Sequence, residues 1–72
     1  MMVDVNKLKG KMAENGFIQN DLASAIGIDR STLNRKLRTG EDFSINEANK
    51  IAQVLSLTKN EAMSIFFKQI VA

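Results

Sequence analysis

The strongest constraint on the fold of this chain is a helical spacing of apolar residues that turn signals divide into five short segments. Each of the first three segments is followed by a glycine, at Gly16, Gly27 and Gly40, and glycine favours the left-handed conformation that ends a helix. The last two segments begin with capping boxes, Ser44–Glu47 and Thr58–Glu61. We therefore predict an all-α protein, a compact five-helix domain that spans residues 1–72.

The composition favours a binding protein over an enzyme. Hydrophobic residues make up 44% of the chain, more than a disordered sequence carries. The chain lacks cysteine and histidine, which removes disulfides, the commonest metal ligands and the usual general base. No apolar run approaches the roughly 20 residues of a membrane span. We expect no catalytic residue, metal, cofactor, small-molecule substrate or membrane contact, and we expect a cytoplasmic location.

The segment of residues 19–40 has the pattern of two short helices joined by a tight turn. Gly27 permits the left-handed backbone conformation that lets the chain reverse within a few residues. Ala23 is small enough to let the two helices cross closely, and Leu33 and Leu37 can pack in the corner between them. These features are the requirements of a helix-turn-helix.

The second helix of this segment has one strongly polar face. At about 100° per residue, five polar side chains fall within about 140° of one another. They are Arg30, Ser31, Asn34, Arg35 and Arg38. Arginine can pair with guanine O6 and N7, asparagine can pair with adenine N6 and N7, and serine can donate or accept. A merely solvated basic face is the alternative, but the adjoining helix-turn-helix pattern favours the reading of base edges.

The residues Gln19–Ala23, Gly27–Ile28 and Arg30–Arg35 resemble the helix-turn-helix of the Cro/CI (XRE-type) family of phage repressors. In size the chain is similar to the small Cro-like and modulator-of-repression proteins of temperate phages. The resemblance implies a five-helix, phage-repressor-like domain that binds double-stranded operator DNA as a two-fold dimer. It implies base contacts by Arg30, Ser31, Asn34 and Arg35, a phosphate contact by Arg38, and phosphate contacts or bracing of the recognition helix by Gln19 and Asn20.

Two residues depart from the pattern of that family. Ile18 stands where the family often has a serine or threonine that caps the second helix. Lys36 stands where an apolar residue is common, and we expect Leu37 to take over the packing.

The last predicted helix, about residues 59–70, is apolar around most of its circumference. Its apolar side chains spread over roughly 240°, whereas one core-facing stripe needs little more than about 100–140°. Either this helix inserts deeply among the other four, or a second chain covers part of it. We expect Phe66 to face the core. The residues expected in a partner interface are Met63, Phe67, Ile70 and Val71.

Together these patterns predict a sequence-specific DNA-binding transcription regulator of Cro/CI type. We expect it to act in a phage lysis–lysogeny switch, at the nucleoid of the host cell. The main alternative is a modulator of repression, an antirepressor that binds a CI-type repressor and alters its operator binding; an antitoxin is a more distant one. The expected partners are therefore operator DNA and either an identical subunit or a CI-type repressor.

Overall fold

The computed structural model describes residues 3–40 and 43–66. Within these ranges the chain forms five α-helices and no strand. The helices are α1 (Val5–Glu14), α2 (Gln19–Ile26), α3 (Arg30–Thr39), α4 (Ile45–Val54) and α5 (Lys59–Phe66). The prediction of an all-α, five-helix fold is confirmed. None of the described helices combines the length and the apolar character needed to cross a membrane.

Three of the helices begin at side-chain caps. A backbone N–H in the first turn of α1 donates to Asp4 Oδ1 (3.2 Å). Ser44 Oγ accepts from the backbone N–H of Glu47 (3.0 Å), and Thr58 Oγ1 accepts from that of Glu61 (3.1 Å). Each glutamate accepts a bond from the backbone N–H of its cap residue at 2.9 Å. Both predicted capping boxes are therefore confirmed.

One hydrophobic core joins all five helices. Helix α2 packs against α3 and α4, while α5 packs against α1 and α4. The largest fully buried side chains are Leu8, Leu22, Leu33, Ile51, Leu55, Ile65 and Phe66. Because every helix contributes at least one of these residues, the core fixes the angle between α2 and α3.

The described part of α5 has one buried side and one exposed side. Ile65 and Phe66 are 2% and 1% exposed, so the core position predicted for Phe66 is confirmed. Met63 is 36% exposed and is the described member of the predicted partner interface. The remaining members, Phe67, Ile70 and Val71, lie outside the described residues, as does the predicted end of the helix near residue 70.

Lys36 joins α3 to α4 through an ion pair that is largely buried. Its Nζ donates to both carboxylate oxygens of Glu47, at 2.8 and 2.9 Å. The two side chains are only 11% and 17% exposed, and the ammonium group lies 5.8 Å from the centre of the Phe43 ring. Leu37 is buried, as expected. Lys36 therefore adds an ionic contact where an apolar residue would add only packing.

This ion pair makes the stability of the fold depend on pH. Partial burial alone would raise the pKa of Glu47, but the hydrogen bonds from Lys36 and from the Ser44 backbone outweigh it and lower that pKa. A carboxyl group whose pKa falls on folding stabilises the native state above its unfolded-state pKa. That stabilisation is lost as the pH falls through the lowered pKa.

We expect Glu47→Gln to lower the free energy of unfolding by about 1–3 kcal/mol at pH 7, since it removes a charged partner from Lys36. The variant should also lose less stability than the parent between about pH 5 and pH 3. Urea unfolding followed by circular dichroism at several pH values measures both effects. Some pH dependence should remain, because the Lys11 ammonium group also lowers the pKa of Glu61.

The matched control is Glu14→Gln, whose carboxylate lies 3.3 Å from Lys11 Nζ on a side chain that is 64% exposed. A solvated pair of this kind contributes about 0–1 kcal/mol, so this variant should stay close to the parent. A Glu47→Gln variant with the stability and the pH profile of the parent would contradict the role assigned to the ion pair.

Candidate nucleic-acid interface

The turn between α2 and α3 is built on Gly27. This residue has φ 79° and ψ 31°, the left-handed conformation that glycine adopts without steric cost. The backbone N–H groups of Gly27 and Ile28 both donate to the carbonyl oxygen of Ala23, at 2.9 and 3.0 Å. Ala23 is 2% exposed, which fits its predicted place at the helix crossing. The turn thus holds α3 at a fixed angle across α2.

Helix α3 presents its polar face to solvent. Leu33 and Leu37, on its inner side, are 0% and 3% exposed. The outer residues are all exposed: Arg30, Ser31, Asn34, Arg35 and Arg38. Among the described residues, no carboxylate forms an ion pair with any of the three arginines. Their charges are therefore available to an anionic ligand.

The N-terminal end of α2 and the outer face of α3 form one continuous surface. One shallow depression is lined by Arg30, Ser31, Asn34 and Arg38. A second depression is lined by Ile18, Gln19, Asn20, Arg30 and Asn34. Because Arg30 and Asn34 line both, we call the lining residues of the two depressions together the α2–α3 surface. It brings together all the predicted DNA-contacting residues except Arg35, which is exposed but lines neither depression.

A hydrogen bond crosses this surface from α3 to α2. Asn34 Nδ2 donates to Gln19 Oε1 at 3.3 Å. The bond orients the Asn34 amide but uses only one of its two N–H hydrogens. Asn34 keeps an acceptor, Oδ1, and one donor, which are the two groups that pair with adenine N6 and N7.

A family model for the Cro/C1-type HTH DNA-binding domain matches residues 7–67. The chain belongs to this family. The match contains the whole of α2, the turn and α3, so the resemblance of the sequence to the Cro/CI family is confirmed. Comparisons with curated proteins and with solved structures gave no match. The family match alone identifies the chain as a DNA-binding regulator of Cro/C1 type.

Ile18 belongs to the α2–α3 surface, although the sequence did not predict it as a site residue and indicated only that its side chain cannot cap α2. It is the N-cap of α2, and its side chain makes no capping hydrogen bond. The backbone N–H of Ile18 donates instead to Asp21 Oδ2 at 3.0 Å, so half of a capping box remains. The side chain of Ile18 is 63% exposed and lines the depression that contains Gln19 and Asn20.

Proposed function

We propose that this Cro/C1-type domain is a sequence-specific transcription regulator that reads operator DNA with α3 in the major groove. The observation that carries the proposal is the outer face of α3, which exposes three arginines without carboxylate partners among the described residues. The major groove, about 12 Å wide, admits an α-helix. Arginine and asparagine on such a helix can pair with base edges in two-point contacts.

The positions of the residues suggest a division of roles. We assign base contacts to Arg30, Ser31 and Asn34, which lie on the exposed face of α3, and a further base contact at the edge of that face to Arg35. Arg38 lies closer to the C-terminal end of α3 than the other four side chains, and we assign it to phosphate. Gln19 and Asn20, at the N-terminal end of α2, are assigned to the phosphates on the other side.

We further propose that two copies bind a two-fold symmetric operator and that the regulator acts in a phage lysis–lysogeny switch at the host nucleoid. In this protein family the dimer symmetry sets the spacing of the operator half-sites, one helical turn or a multiple of it. The contact between the two copies would use the predicted partner interface on the last helix, of which Met63 is the described member. The antirepressor alternative would use the same surface to bind a CI-type repressor.

The test is a selection of binding sites from random DNA duplexes with the purified 72-residue chain, followed by titrations at several salt concentrations. We expect a symmetric consensus site that binds at least about 10³-fold more tightly than scrambled duplexes. The logarithm of the binding constant should fall linearly with the logarithm of salt concentration, by about 0.9 for each phosphate contacted. Failure to enrich any site would overturn the proposal, and binding only to a CI-type repressor would establish the antirepressor.

A further inference from the structure

Ile18 combines an exposed apolar side chain with an unfavourable N-cap at a single position. Its large apolar side chain is 63% exposed, and it occupies an N-cap, where Ser, Thr, Asp and Asn are strongly preferred because they accept a backbone hydrogen bond. Where a natural sequence departs from such a local preference, a functional or a strained site is the expected reason. Ile18 is therefore a candidate for a role in binding.

The position of Ile18 indicates what that role is. It lines one depression with Arg30 and Asn34, and it precedes Gln19, which accepts the hydrogen bond from Asn34. Its exposed apolar surface therefore lies beside the polar groups assigned to base reading. Ile45 is exposed to the same extent, 65%, but it lines neither depression of the α2–α3 surface.

We propose that Ile18 contacts the 5-methyl group of a thymine in the major groove, next to the base pairs contacted by Arg30 and Asn34. This inference rests on the proposed DNA-binding function. The methyl group is the apolar feature that a thymine presents in the major groove, and an isoleucine side chain can remove it from water. Ile18 would thus favour thymine through an apolar contact, whereas the polar residues of the α2–α3 surface recognise hydrogen-bond donors and acceptors.

The decisive probe is the selected operator with each thymine replaced in turn by deoxyuridine, which lacks only the methyl group. At one position in each half-site, we expect the substitution to weaken binding of the parent protein about three- to fivefold, the effect of one buried methyl-sized group. Ile18→Ala should bind the unsubstituted operator several-fold more weakly and should no longer distinguish thymine from deoxyuridine there. Its salt dependence should match that of the parent, because an apolar contact releases no counterion.

Two further variants separate this contact from a change in the fold. Ile18→Ser supplies a cap acceptor, so its urea midpoint should rise while its thymine preference disappears like that of Ile18→Ala. Ile45→Ala removes an equally exposed isoleucine and should keep the thymine preference of the parent.

Two results would overturn the assignment of Ile18 while leaving the proposed function intact. One is a parent protein that binds its operator but shows no deoxyuridine effect at any thymine. The other is an Ile18→Ala variant that keeps the full thymine preference, so that it loses affinity equally for the unsubstituted operator and for every substituted one. A parent protein that selects no DNA site would instead overturn the proposed function together with this inference.

Discussion

Leu33→Ala will lower the free energy of unfolding by about 2–5 kcal/mol, the range measured for buried leucines that leave a cavity. Leu33 is 0% exposed and lies on the inner side of α3, where that helix packs against α2. A chain of 72 residues has a total stability of only about 4–11 kcal/mol, at 0.05–0.15 kcal/mol per residue. The substitution should therefore remove a large part of the margin. Urea unfolding monitored by circular dichroism measures the change.

The control for this prediction is Ile45→Ala, which shortens an isoleucine that is 65% exposed. Its stability should stay within about 0.5 kcal/mol of the parent, as for most surface substitutions. A Leu33→Ala variant as stable as the parent would mean that α3 is rotated about its axis, and the polar face assigned to DNA would then be wrong.

Asn34→Ala will weaken binding to the selected operator by about 1–3 kcal/mol and will remove most of the discrimination at one base pair per half-site. The reason is that the Asn34 amide offers a donor and an acceptor side by side, and alanine offers neither. Arg38→Ala should act differently. If Arg38 contacts phosphate, its loss should weaken binding to every sequence to a similar degree and reduce the salt slope by about 1.

Titrations on the selected operator, on single-base variants of it and on scrambled duplexes distinguish the two effects. Lys9→Ala is a matched control for Arg38→Ala, because it removes one positive charge from an exposed position of α1 that lines neither depression. Equal and small losses of affinity for Asn34→Ala, Arg38→Ala and Lys9→Ala would contradict base reading by α3. Binding would then depend only on nonspecific electrostatic attraction.

The course of the chain could be predicted from the sequence because its signals are local. A capping box joins residues three positions apart, as Ser44 and Glu47 are, so both partners are visible in one short stretch. The turn at Gly27 depends on the conformational freedom of a single residue. The outward face of α3 could be predicted because Leu33 and Leu37 are four positions apart and therefore lie on the same, inner side of the helix.

The contacts between helices could not be predicted in this way. Lys36 and Glu47 are 11 positions apart, and Gln19 and Asn34 are 15 apart. Whether such side chains meet depends on the crossing angle and the rotation of both helices, which the packing of the whole core determines. Lys36 consequently read as a departure from a family pattern, although it forms the ionic contact between α3 and α4.

The hydrogen bond between Gln19 and Asn34 has a consequence for anyone who redesigns the operator preference. Because Gln19 accepts a hydrogen bond from the amide of Asn34, the two positions would act together if Asn34 reads a base as proposed. When Asn34 is replaced, Gln19 remains and contacts a side chain other than asparagine. The effect of the replacement on base preference should therefore depend on the residue at position 19. Mutant libraries that vary only α3 leave Gln19 unchanged, whereas libraries that vary residues 19 and 34 together include new combinations of the two side chains.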